Sequence, residues 1–530
     1  MNNQNNINET AYQENLSPDV LSAINTFGSP YTPKSPPSFI ETDCIFAWLS
    51  IIVGFFFFRT LPITQNSLGG VLFTILLFAF GVFYLLRSKI RIKSSVIMFA
   101  TVICIYSFGL ITNSNKSIQT LIFLFILASF PYWIYTAFGL NEKNMFGDNC
   151  ILHALYSTFV LPIISTIYFF PAISVSNKRN RSKKIIVGAL WGLLGLAIAI
   201  IPTAIICMLL SYDQQFANII RKVYDLPFNV VWEYIRDIFF GAIIATVLFG
   251  TLFGTKHQHK INNGKEKQLK QIKSHIMPRI MLCCAVTPIL FIYVIFFISQ
   301  WNYYVSAFTH ILPENLTYAE YARDGFFELC LISAINAVLL LLFNLLIRNN
   351  GKAKDPIRTF YSSLIAIFTL ILIATALSKM ALYIGFFGLT QKRVYASWFM
   401  ILLAVIFMFI LLRQFVRRIK LISAIAISCI IAFGVITLPN VDAMIASYNV
   451  NAYISGDLET VDVESISEYG VSAVPALVKL RSELEANNEQ GEIKIQTDIA
   501  LEKIASKIDN EDSELFSFNI PTIRAKKLLE

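Results

Sequence analysis

The chain is predicted to be all-α: a polytopic transmembrane helical bundle of about eleven spans, followed by a small extracytoplasmic α-helical domain at its C-terminal end. Three observations predict this. Hydrophobic residues make up 55% of the 530 positions and charged ones only 15%, at a mean hydropathy of +0.61. That is more apolar side chain than a soluble core of this size needs. The apolar residues gather in runs of bilayer length. The charge is also divided, because residues 440–530 hold 17 acidic and 8 basic side chains while the chain as a whole is +9. The part before residue 440 is therefore strongly basic, as loops facing anionic lipid and a cytoplasm are.

Residues 1–40 are rich in Asn, Ser and Pro and poor in large apolar side chains, which predicts a disordered polar leader. A charged n-region and a cleavage site are missing before the first span, so no signal peptide is expected. The transmembrane domain is placed at 41–439. Its predicted spans are 44–63, 69–86, 94–112, 118–139, 185–210, 234–254, 280–301, 325–347, 359–379, 394–412 and 420–438. One further run, "CILHALYSTFVLPIISTIYFF" (150–170), is broken by Pro162 and diluted by His153, Ser157, Ser165 and Thr166.

Lys and Arg counts decide how that run is read. The rich loops are Arg87–Lys93 with four, Lys178–Lys184 with five, Lys256–Arg279 with seven, and Arg348–Arg358 and Arg413–Lys420 with four each. If 150–170 does not cross, all five lie on one face; if it crosses, the first lies opposite the others. The positive-inside rule favours the first arrangement. The run is thus expected to be interfacial or re-entrant, the N-terminus cytoplasmic and residues 440–530 extracytoplasmic. Gly188, Gly192, Gly195, Gly250 and Gly254 are expected to let helices approach closely. No internal repeat of the transporter kind is visible.

The domain at 440–530 opens on "NVDAMIASYN", where Asn440 suits an N-cap and Asp442 lies in the first turn, at the positive end of the helix dipole. Apolar stripes follow on 471–486 (Leu477, Leu480, Leu484) and on 492–509 (Ile493, Ala500, Leu501, Ile504, Ile508). Short connections join them into a small helical unit. It holds no cysteine, so no disulfide framework is implied.

Ionisable groups inside spans cost about 2.5–3.5 kcal/mol at the helix centre and therefore need a reason. "TYAEYARDGFFEL" (317–329) carries Glu320, Arg323, Asp324 and Glu328 into the eighth span. Lys379 closes the ninth, Arg393 precedes the tenth, and Arg236 and Asp237 open the sixth. A functional reading gathers Glu320, Arg323, Asp324, Glu328, Lys379 and Arg393 into an outward-facing polar site, with Glu328 and Lys379 as a pair. The bland reading has charges at helix ends snorkelling to headgroups, which is favoured for Arg236 and Arg393. Asn336 and Asn344 are read as hydrogen-bonding glue between helices.

His257, His259 and His275 sit among lysines with neither Cys nor paired carboxylates near, so no metal site is expected. No phosphate-binding glycine loop, nucleophile elbow or zinc-protease helix occurs. No catalytic residue and no cofactor is assigned, and the sequence points away from an enzyme. Basic loops also suit nucleic acid, but no folded basic soluble module accompanies them, so no nucleic-acid partner is expected.

Five stretches resemble a family of bacterial multi-pass membrane proteins, the domain of unknown function four-one-seven-three and its relative four-one-five-three. They are "DCIFAWLSIIVGFFFFR", "TYAEYARDGFFEL", "LSKMALYIGFFGLTQKRVY", "NVDAMIASYN" and "SFNIPTIRAKKLL". The family shows a Trp shortly before the "SFN" stretch, where this chain has Leu515 or Phe516. The resemblance implies a bacterial cytoplasmic membrane location and brings no activity. Two functions follow as expectations. One is a non-enzymatic envelope protein whose outer domain binds an envelope protein or a small-molecule ligand. The other is a secondary transporter or flippase-like permease using the polar site.

Overall fold

A computed structural model describes residues 39–59, 67–141, 145–147, 149–175, 229–263, 279–299, 326–346, 356–416, 418–487, 491–509 and 518–530, with isolated positions between 195 and 213. Every regular element among the described residues is helical. In chain order these are α1 (Glu41–Arg59), α2 (Ser67–Arg87), α3 (Ser94–Ser107), α4 (Gly109–Thr112) and α5 (Lys116–Ala137). A run of short pieces follows: α6 (Cys150–Leu155), a π-helical turn (Tyr156–Val160), α7 (Leu161–Ser165), a 3-10 turn (Thr166–Tyr168) and α8 (Phe169–Val175). Then come α9 (Asn229–Asn263), α10 (Arg279–Ser299), α11 (Phe326–Leu346), α12 (Pro356–Phe387), α13 (Gln391–Phe415) and α14 (Leu421–Thr437). The C-terminal unit is α15 (Val441–Ile454), α16 (Val463–Ser467), a 3-10 turn (Gly470–Ser472), α17 (Val474–Ala486), α18 (Glu492–Asp509) and α19 (Ile520–Leu529).

Eight helices among the described residues are long and apolar enough to cross a membrane, and nine if α14 and α15, bent by 60° at their junction, count as one. Seven of the eight coincide with predicted spans. The predicted spans at 280–301 and 325–347 appear as α10 and α11, whose described apolar stretches, Val286–Ser299 and Glu328–Leu340, are shorter. The predicted span at 185–210, apart from Gly195, Ile206 and Leu210, falls outside the described residues, as do Gly188, Gly192 and the leader up to residue 38. The eighth helix that qualifies is Cys150–Ile173, the run expected to be interfacial or re-entrant. Length and composition alone make it a span, and its contacts are therefore worth following.

α1 and α9 run antiparallel. Lys256 Nζ lies 2.6 Å from Asp43 Oδ1 at one end, and toward the other end Gly54 and Gly241 bring the backbones together. A Cβ on Gly54 would sit 2.1 Å from the Gly241 carbonyl oxygen. Lys256 also lies over the Tyr84 ring, Phe138 packs on His259, and the Ser423 hydroxyl donates to the Phe146 carbonyl. These contacts gather the ends of the helices near Asp43, Arg87, Phe138, Lys256 and Lys420 into one basic end. The opposite, far end holds Ser67, Asn113, Thr390 and Leu438, from which the C-terminal unit leaves.

The Cys150–Val175 run starts beside Tyr135, whose ring meets His153, and its middle reaches Ala128, whose carbonyl accepts from Thr158. It then crosses α9, where Gly250 and Gly254 give room for Pro162, Ser165 and Thr166. The small-residue role expected of those two glycines is what the packing shows. It ends with Tyr168 on His257 and the Ile173 carbonyl near Cys44 Sγ. Tyr135, His257 and Cys44 all belong to the basic end. The π turn and two prolines let a helical run bend this way.

The three largest of five apolar clusters among the described residues organise the fold. One joins α1 to α5 around Ile103, Ile122 and Trp133. A second joins α10 to α14 around Ile373, Met400 and Phe407. The third lies within the C-terminal unit around Val450, Val474, Leu477, Leu480 and Ile504. The leucine stripe of α17 and the Ala500/Leu501/Ile504/Ile508 stripe of α18 fill it, as their spacing predicts.

Candidate functional site

The C-terminal unit meets the far end of the bundle through a seam of hydrogen-bonded polar side chains. Asp442, 5% exposed, is at its centre. Its Oδ2 accepts from Asn115 Nδ2 at 3.0 Å and its Oδ1 from Gln391 Nε2 at 2.8 Å. Local structure positions all three. Asn115 is the N-cap of α5, where its Oδ1 accepts from the Ser117 and Ile118 amides. Gln391 is the first residue of α13, after the N-cap Thr390. Asp442 is held by the cap it follows, since Asn440 Oδ1 accepts from Ala443 N at 3.0 Å. That N-cap agrees with the sequence reading.

Around this centre the contacts are again polar. Asn440 Nδ2 donates to Ser472 Oγ, which is 2.6 Å from Ser114 Oγ. Thr112 Oγ1 and Asn113 Nδ2 donate to the carbonyls of Leu438 and Thr437 at the end of α14. Asn449 makes a two-way pair with the Leu389 backbone, at 2.6 and 2.8 Å. Gly388, at φ +68°, makes room for it, because a Cβ there would lie 2.5 Å from Asn449 Oδ1. The Tyr469 hydroxyl is pushed up from its ordinary pKa by burial and by the nearby Asp442 charge.

A second node joins the ends of α2, α4 and α5. Gln119 Nε2 donates to Ser67 Oγ, the Leu110 carbonyl and the Asn113 carbonyl at 2.7–3.0 Å. Asn519, 6% exposed and N-cap of α19, sends its Nδ2 to the same three oxygens, closest to Asn113 O at 2.8 Å. Three helix ends (of α2, α4 and α5) and α19 thus share one set of acceptors.

At the basic end Asp43, 2% exposed, pairs with Lys256, 12% exposed. Asp43 Oδ2 also accepts from the Ile40 amide. A buried pair of this kind costs desolvation and holds only with such extra hydrogen bonds.

Of the six residues expected to form an outward-facing polar site, three are described. Glu320, Arg323 and Asp324 lie outside the described residues. Glu328 is exposed in the first turn of α11, Lys379 is half-buried in α12, and among the described residues no ion pair joins them. Arg393 donates to the Phe387 and Gly388 carbonyls at 2.9 and 2.5 Å and stacks on Tyr383 at 4.1 Å. It caps the C-terminal end of α12, where a cation meets the negative end of the helix dipole. Arg236 turns to its neighbour Asp237 at 2.9 Å. Asn336 does bind helices together: it accepts from Tyr293 of α10 and donates to Thr369 of α12.

Sequence reasoning found Asn440 and Asp442 but not their partners, and passed over Asn115, Gln119, Gln391 and Asn519. The available signal was an amide side chain in the first helical turn at several span starts. Among the described residues no cluster of three or more His, Cys, Asp or Glu could hold a metal ion. The family model described as domain of unknown function (DUF4153) matches residues 72–480. It is the second-named of the two relatives that the sequence resembles, not the first. The matched range includes Asn115, Gln391, Asp442 and Ser472, and leaves out Asp43, Ser67 and Asn519. No curated protein and no solved structure matches the chain.

Proposed function

The chain belongs to the DUF4153 family of domains of unknown function, and from that footing we propose that it is a non-enzymatic envelope protein. In this reading the bundle is a membrane platform, and residues 440–530 form a helical domain held outside the cytoplasm to bind an envelope component. The observation that carries it is on α18. One stripe of that helix fills the core of the unit, while Ile495 and Ile499, four apart, stand 59% and 58% exposed. An apolar pair on an otherwise acidic surface suits contact with another molecule. The polar seam fixes the direction in which this face points.

The sidedness rests on the basic end, on the far-end departure of α15, and on both ends of the Cys150–Val175 run touching the basic end. The family resemblance adds a bacterial plasma membrane. A photo-crosslinking amino acid in place of Ile499 in the full chain, in cells, tests the binding role. A discrete adduct that Ile495→Glu abolishes at unchanged protein level is expected. Adducts spread over many species, or unaffected by Ile495→Glu, would remove the support.

A second reading, a transporter or flippase-like permease, is favoured by Asp237, a carboxylate 1% exposed near the start of α9. Loss of a defined uptake or efflux in Asp237→Asn, at unchanged protein level, would bring it forward.

A further inference from the structure

Residues 440–519 carry 16 acidic and 5 basic side chains, whereas 520–530 carry three basic and one acidic. All three basic residues are on α19. Pro521 and Ala525 turn one face of this helix inward, where it packs on α17, α18 and the 3-10 turn at Gly470–Ser472. Ile520, Ile523, Arg524, Lys527 and Leu528 recur at spacings of three and four, so they share the other face, and all are exposed. Among the described residues neither Arg524 nor Lys527 enters an ion pair.

The helix begins at the level of the span ends. Asn519 reaches the oxygens of Ser67, Leu110 and Asn113, and α19 packs on α4. The span that ends in α4 exposes Ile105 and Phe108, and Phe518 beside Asn519 is exposed as well. Apolar side chains therefore stand open on both sides of this junction, and two cations follow about one turn along α19.

We propose that this face of α19 lies on the bilayer surface and holds anionic phospholipid headgroups. Phe518, Ile520 and Ile523 enter the headgroup layer, and Arg524 and Lys527 pair with lipid phosphates while their stems lie along the apolar side chains. An acidic unit close to an anionic surface is otherwise repelled, and a basic patch confined to one helix selects the face that turns to the membrane. The exposed pair on α18 has Glu492, Asp498 and Glu502 around it with Lys494 and Lys503, a set with no net positive charge, and suits such a surface less well. The inference is independent of which leaflet is involved and of what α18 binds.

The test uses the full chain in nanodiscs of phosphatidylcholine, with or without phosphatidylglycerol. A photo-crosslinking amino acid replaces Ile523 or, as a control, Ile499, and lipid adducts on the proteolytic peptides are read by mass spectrometry. Adducts are expected at position 523 and not at 499, increasing with phosphatidylglycerol. The increase should fall roughly fivefold for each of Arg524→Gln and Lys527→Gln, with the melting temperature unchanged. Equal adducts at the two positions, adducts indifferent to phosphatidylglycerol, or crosslinks to a second copy of the chain would each overturn the proposal.

Discussion

Asn115 and Asp442 meet at 3.0 Å although 327 positions separate them. The amide that caps one membrane helix also holds the carboxylate that opens the C-terminal unit. The arrangement has a direction: Asn115 Nδ2 donates a hydrogen bond and the Asp442 carboxylate accepts from two sides.

Exchanging the two chemistries should therefore be tolerated, and changing one should not. Asn115→Asp sets two carboxylates against each other, and Asp442→Asn leaves amides facing amides, each costing about 1–3 kcal/mol. The double exchange restores one donor and one acceptor, and Asp also suits the N-cap of α5. Thermal melts of the purified variants should show two depressed singles and a recovered double. A double variant that melts at the sum of the two losses would mean that the contact carries no coupling.

Asp43 and Lys256 should behave as a buried pair. Asp43→Asn and Lys256→Met are each expected to cost about 3–5 kcal/mol, while the double change is much milder. Glu328→Gln, by contrast, should stay within about 0.5 kcal/mol, as surface substitutions do. A strong effect of Glu328→Gln would restore the polar site expected around it.

Gly54→Ala should cost about 1–3 kcal/mol, because its methyl group would meet backbone, which cannot move aside as a side chain can. The yield of monodisperse protein on size exclusion and the melting temperature measure it. An unchanged yield and melt would mean that α1 and α9 do not approach as closely as described.

Reporter fusions address sidedness. A reporter that works outside the cytoplasm should be active after Glu530 and silent after Ser88. Fusions after Met145 and after Val175 should give the same answer as each other, because the run between them touches the basic end at both of its ends. Opposite answers there would make that run a crossing helix.

The spans were legible because a run of 18 or more apolar residues has few other uses. The cores of the C-terminal unit were legible from period alone, with Leu477, Leu480 and Leu484 on one side of α17. The polar seam was not. An Asn in a first helical turn announces a cap, which Asn115 and Asn440 both are, but nothing local says where its second hydrogen-bonding group will go. Glu328 drew attention because it stands in apolar sequence, yet a helix has two sides and this residue is on the open one. Asp43 drew none, being near a helix start, and it is the one that is buried against a cation 213 positions away. For Cys150–Val175, composition and the basic-loop pattern point in different directions, and only the contacts of its ends bear on the choice.

The ends of α2 and α4 are joined to α19 through Asn519. Ser67 and Asn519 are 452 positions apart, and at about 5–20 residues per second of synthesis that separation is roughly half a minute to a minute and a half. Through that interval the Ser67, Leu110 and Asn113 oxygens have Gln119 as donor but not yet Asn519, so this joint is completed only after residue 519 has been made. A chain ended between Pro439 and Asn519 keeps the described helices up to α14 and lacks that contact. α19 thereby ties the finished state of the earliest described helices to a residue synthesised far later.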